Sequence, residues 1–122
     1  MYKKEKVNLF DVKEEIINGS LVYTEDSDRG IGKTALMMKM ASLIDMPLLV
    51  RNKGLAKMLM KSEEFKDVKV YCVTDQLRGM FRPDERTRKT YVLVDDITEE
   101  QLKDLVKKHP EFAISGLVSK DS

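Results

Sequence analysis

The chain has 122 residues, 42% hydrophobic and 35% charged, with a formal net charge of +1, which predicts one domain spanning residues 1–122 and argues against broad electrostatic capture of nucleic acid. One cysteine, Cys72, and one histidine exclude an intrachain disulfide and a Cys/His zinc site. No apolar run is long enough to span a membrane, and the basic start Met1-Tyr2-Lys3-Lys4-Glu5-Lys6 has no apolar signal core, so a cytoplasmic chain without membrane contact is expected.

Residues 8–18 read as an amphipathic helix, with Leu9, Val12 and Ile16 on one face and Gly19 as its stop. Leu21-Val22-Tyr23-Thr24 is a short β-type run. Ser27-Asp28-Arg29-Gly30-Ile31-Gly32-Lys33-Thr34 follows it. This segment matches the phosphate-binding pattern G-x-x-x-x-G-K-[ST] except at its first glycine, where Ser27 stands. Gly30 and Gly32 let backbone N–H groups turn toward an anion with no Cβ in the way. The expected cradle is Ser27, Asp28, Arg29, Gly30, Ile31, Gly32, Lys33, Thr34 and Ala35. Lys33 would reach the β- and γ-phosphates, and the Thr34 hydroxyl would ligate Mg²⁺. Residues 35–44 form a helix that is apolar nearly all round and expected to be buried, with Met37, Met38 and Met40 as core filler. Its start near Lys33 adds unpaired N–H groups and a positive dipole end.

Residues 47–50 read as a second strand. Residues 54–65 read as a helix with Leu55, Met58 and Leu59 inward. Residues 68–74 form a third strand, with Val68, Val70 and Cys72 on one face and Lys69 and Tyr71 on the other. Residues 75–90 are irregular and long for so small a domain. They carry Arg78, Arg82, Arg86, Arg88 and Lys89, with Phe81 and Pro83 among them. Tyr91-Val92-Leu93-Val94-Asp95-Asp96-Ile97 reads as a buried parallel strand ending in two carboxylates. Ligands of open α/β sheets bind beyond the carboxyl ends of the strands. Asp95 is therefore a candidate Mg²⁺ ligand, and Asp96 is placed to orient or deprotonate an attacking water. Thr98-Glu99-Glu100-Gln101 is a capping box. The helix it opens has Leu102, Leu105 and Val106 on its apolar face and ends at Pro110. His109 reads as a solvated partner of that helix's dipole. Residues 112–119 form the last strand.

With both motifs in this order, the chain resembles the P-loop NTPases: Walker A at residues 27–34, Walker B at residues 92–96, and similarity over about residues 21–119. Arg29 stands four residues before Lys33, as in the R-G-x-G-K-[ST] loops of phage terminase motors and some AAA-type ATPases. In terminases the matching arginine is assigned to the γ-phosphate. Two positions depart from the pattern: Ser27 replaces a glycine, and Asp96 stands where many ATPases of the additional-strand division carry Glu. The resemblance implies an α/β, three-layer P-loop NTPase core with a mainly parallel five-stranded sheet. It places the final strand between the Walker A and Walker B strands, with Ser119 as a candidate sensor. It implies Mg-ATP as ligand and slow hydrolysis stimulated by self-assembly or a protein partner. Lys33, Asp96 and Arg29 would be catalytic, and Thr34 and Asp95 would hold Mg²⁺. An arginine of the 75–90 loop would act in trans on a neighbour's phosphate. Two alternatives stand beside this: a nucleotide-dependent binding module without turnover, and a small-molecule or nucleoside kinase using the arginine loop as a lid. Base specificity stays open, since no N-K-x-D run is present.

Overall fold

Short runs of β-branched and aliphatic residues alternate with helix-forming segments, and each run becomes a strand. The computed structural model describes Gly19, residues 21–24 and residues 33–119; the helix expected over residues 8–18 and the loop residues 25–32 lie outside the described residues. The elements are β1 (Leu21–Thr24), α1 (Lys33–Ile44), β2 (Leu48–Val50), α2 (Lys53–Met60), β3 (Val70–Cys72), β4 (Thr90–Thr98), α3 (Glu99–Lys108) and β5 (Phe112–Ser119). All strand pairs are parallel, in the order β1-β5-β4-β2-β3. The final strand thus lies between β1 and β4, as expected. Parallel strands need crossover connections, which here are the helices.

Two apolar clusters cover the two faces of the sheet. On one face, Met37, Met38, Met40 and Ala41 of α1 and Ala56 of α2 pack with Leu48, Val50, Val70, Leu93 and Leu117. On the other, Leu102 and Leu105 of α3 and Leu77 pack with Leu49, Val92, Val94, Ile97 and Val118. Helices therefore cover both faces, and the α1 methionines are core filler. Cys72 is buried at the first face, while Tyr71 joins the second cluster.

Several expectations are corrected. The helix expected over residues 54–65 ends at Met60. Lys61 N–H donates to Met58 O and Ser62 N–H to Leu59 O, and these tight i→i+3 bonds close the last turn. Met58 is 62% exposed rather than inward, and Ala56 is the buried residue of that helix. β3 is shorter than residues 68–74, because Asp75 turns the chain: its Oδ2 accepts from Cys72 N and its N–H donates to Cys72 O. Leu43 and Ile44 leave the core at the end of α1, so that helix is not buried all round. Val106 is exposed, off the face that Leu102 and Leu105 bury.

His109 is buried, not solvated. The Pro110 turn folds Phe112 back against the helix end, where Phe112 N–H donates to His109 O. The imidazole stacks on the Phe112 ring with centroids 4.5 Å apart and planes 8° from parallel.

Candidate functional site

α1 leads from β1 to β2, and β2 runs parallel to β1 through the sheet. Its C-terminal end meets the start of β2, so its N-terminus at Lys33 lies at the carboxyl edge of the strands. Lys33 is the first residue of α1, Thr34 is half-buried and Ala35 is exposed. Ser27, Asp28, Arg29, Gly30, Ile31 and Gly32 lie outside the described residues, which resume at α1.

The acidic pair sits at the same edge, in a geometry the sequence did not announce. β4 does not end at Asp95 and Asp96. It continues, pairing Ile97 with Val118 and Thr98 with Ser119. Between Val94, opposite Gly116, and Ile97, opposite Val118, β4 holds one residue more than β5. This is a β-bulge, and Asp96 takes the left-handed conformation within it, with φ +56°. The extra residue reverses the alternation of side chains. Val92, Val94 and Ile97 all lie on the α3 face, although an unbroken strand puts positions 94 and 97 on opposite faces. Burying Ile97 is worth about 2 kcal/mol, comparable to the cost of about 1–3 kcal/mol for a non-glycine residue in the left-handed region. Asp95 pairs with Val50, a member of the α1-face cluster, and is itself wholly buried. Its carboxylate therefore belongs to the face that α1 covers. Ser119 is buried at the end of β5, next to Thr98 and Thr24 in the pairing.

Arg51 follows β2 directly and organises the bulge. Its Nε donates to the Asp96 carbonyl at 2.7 Å, and its Nη2 lies 3.3 Å from Asp96 Oδ1. Its own carbonyl accepts from Gln101 Nε2 at 3.1 Å. Gln101 in turn completes the expected capping box: Gln101 N–H donates to Thr98 Oγ1 at 3.0 Å, and Thr98 N–H donates to Gln101 Oε1 at 3.1 Å. Asp96, Arg51, Gln101 and Thr98 are thus joined in one continuous chain of contacts at the strand ends. The sequence reading missed Arg51. Its signal was a lone arginine straight after the apolar run Leu48-Leu49-Val50, at the level of the acidic pair.

Mg²⁺ takes oxygen ligands, commonly one or two carboxylates together with phosphate oxygens. Asp95 fits that requirement: it is a buried carboxylate on the α1 face at the edge where α1 begins. Among the described residues no group of three or more His, Cys, Asp or Glu is arranged to hold a metal.

The arginine loop goes elsewhere. It leaves the carboxyl end of β3 and returns at Thr90, the first residue of β4. Phe81 anchors it across the α3 face, edge-on to Tyr71 at 5.2 Å and tilted against Phe112 at 6.0 Å. A tight turn follows, in which Asp84 N–H donates to Lys89 O and Arg88 N–H to Asp84 O. The Thr87 N–H and hydroxyl donate to Asp84 Oδ2, and these bonds hold the Asp84 carboxyl below the usual aspartate range. Arg82, Arg86 and Arg88 are exposed around this turn, just ahead of β4. Asp95 lies five residues into that strand, about 17 Å along it. A cleft of about 610 Å³ opens beside the turn, between Met46, Tyr71, Phe81 and Tyr91, at the opposite edge from the acidic pair.

Among the described residues no helix is long and apolar enough to cross a membrane. No family model, curated protein or solved structure matches the chain.

Proposed function

We propose that the chain binds Mg-ATP at the carboxyl edge of its sheet and hydrolyses it slowly. The observation that carries this reading is the strand order: β5 is inserted between β1 and β4, with the acidic pair on β4 at the edge where α1 begins. The motif residues supply the rest. The backbone N–H groups of residues 27–35 would cradle the phosphates together with the start of α1. Lys33 would bind the β- and γ-phosphate oxygens, and Arg29 would contact the γ-phosphate. Thr34 and Asp95 would hold Mg²⁺, which neutralises phosphate charge when bound. Asp96 would accept a hydrogen bond from the attacking water. Ser119, at the end of the inserted strand, would contact the γ-phosphate.

Self-assembly or a protein partner would stimulate turnover. The kinase alternative gains no support from Arg82, Arg86 and Arg88 of the 75–90 loop, which cluster just ahead of β4 at the other edge, whereas Arg78 is exposed near where the loop leaves β3. A binding module without turnover is favoured by one observation: the Asp96 carboxylate is already engaged by Arg51.

Calorimetric titration with Mg-ATP tests the binding reading. The wild type should bind, and Lys33→Ala should lose binding while keeping its fold. Equal affinity in both variants would remove the P-loop assignment. At 100 times its Kd, a ligand of the folded state adds about 2.7 kcal/mol, a melting shift on the order of 10 °C for a domain this size. Phosphate release from the purified chain separates hydrolysis from binding alone.

A further inference from the structure

We propose that Arg51 is the positioning residue of this site: it holds the one-residue bulge of β4 and so fixes where the Asp96 carboxylate points. The inference rests on the Mg-ATP reading for its catalytic consequence, but the bulge is tested without nucleotide.

The guanidinium meets Asp96 at two points, the backbone carbonyl through Nε at 2.7 Å and the carboxylate through Nη2 at 3.3 Å. A contact to the carbonyl fixes the peptide plane, and a contact to the carboxylate fixes the side chain. Together they hold Asp96 at φ +56°, a conformation that few non-glycine residues adopt unless the surroundings impose it. Arg51 is itself held. Its carbonyl accepts from Gln101 Nε2, and Gln101 is bound to Thr98 through both halves of the capping box. The planar fork matters here, because its Nε hydrogen-bonds the carbonyl while its Nη2 stays in ion-pair contact with the carboxylate, whereas a lysine ammonium is a point charge on a flexible stem. Without the fork, Asp96 is free to return toward the extended conformation of the rest of β4. Its carboxylate then loses the position from which it meets water, while the phosphate-binding residues are untouched.

The test uses the full chain as Arg51→Met and Arg51→Lys, with Arg51→Gln carrying the test if the methionine variant does not fold. The Asp96 Cα and Cβ chemical shifts report the sign of its φ in nucleotide-free protein. They should move from left-handed to extended values in Arg51→Met, and Arg51→Lys should not restore them. With Mg-ATP, the Kd should stay at the wild-type value while kcat falls about 100-fold, the scale expected when a reacting group is displaced by about 1 Å. Asp96 shifts unchanged in Arg51→Met would overturn the proposal. So would full restoration by lysine, a rise in Kd alongside the fall in kcat, or a rise in kcat, which would mark Arg51 as a restraint. A wild type that binds no nucleotide would overturn the Mg-ATP reading and the catalytic role of Arg51 with it, and the chemical shifts tell that failure apart from failure of the bulge.

Discussion

Gly116 of β5 lies against the backbone of Val94 in β4 so closely that a Cβ on it would stand 2.1 Å from the Val94 carbonyl oxygen and 2.8 Å from its nitrogen. Its φ of +128° is also closed to other residues. Both neighbouring atoms are backbone, so nothing flexible can move aside. The contact sits at the last regular pair before the bulge, Val94 with Gly116. Gly116→Ala should therefore cost about 3 kcal/mol, through clash and backbone strain together. Urea unfolding of the two proteins measures it, and a cost below about 0.5 kcal/mol would show that the strands separate without penalty.

The two carboxylates should fail differently. Asp95→Asn should weaken the Mg²⁺ dependence of ATP binding, since a neutral amide is a poorer ligand for a hard cation. Asp96→Asn should leave binding intact and lower turnover, because a water-orienting group acts in the transition state. Titrations with and without Mg²⁺, alongside single-turnover rates, separate the two. Wild-type turnover in Asp96→Asn would remove Asp96 from the chemistry.

The exposed arginines near the start of β4 should not read nucleotide within their own protomer. Arg82→Ala, Arg86→Ala and Arg88→Ala should each leave the Mg-ATP Kd unchanged and alter stability by no more than about 0.5 kcal/mol. If one of them serves a neighbour, turnover per protomer must rise with protein concentration in the wild type and not in that variant. A weakened Kd at low concentration would contradict the position of the loop.

The Asp84 turn gives a pH signature. Its carboxyl is held below the usual aspartate range, first by the Thr87 N–H and then by the Thr87 hydroxyl. A depressed folded-state value means that the bonds are fully present above the ordinary aspartate range. They are lost as the pH falls through the lower, folded value. The Thr87 amide should keep its chemical shift from neutral pH down through that ordinary range and change only below it. Asp84→Asn should abolish the transition, and a Thr87 shift that titrates in the ordinary range would show that the turn does not form.

The legible parts of the sequence were those written in local pattern. The β-type runs, the methionine helix, the Thr98–Gln101 capping box and the acidic pair each follow from neighbours a few residues apart. The helix at 54–65 was overextended because Lys61, Glu63 and Glu64 have no strong breaker among them, while the closing bonds at Met60 depend on geometry. His109 was misread because its burial comes from stacking on Phe112 across a turn. The bulge and the tie between Arg51 and Asp96 are not written in local pattern, for a deeper reason. Period-two alternation assumes one residue for one, and only the pairing of β4 with β5 shows that Asp96 is supernumerary. Arg51 is linked to it by a contact across 45 positions, which no local window contains.

Among the described strands, β1 has a single neighbour, and that neighbour is β5. Leu21 pairs with Gly116, so the first described strand and the last complete each other. During synthesis, Leu21–Thr24 emerges early and finds no ladder partner until Phe112–Ser119 has left the ribosome. Until then its backbone donors and acceptors are an open edge, available to another chain. On the proposed Mg-ATP reading, nucleotide binding would be the last property the nascent chain acquires, and a chain truncated before Gly116 should show α1 and β2–β4 without it.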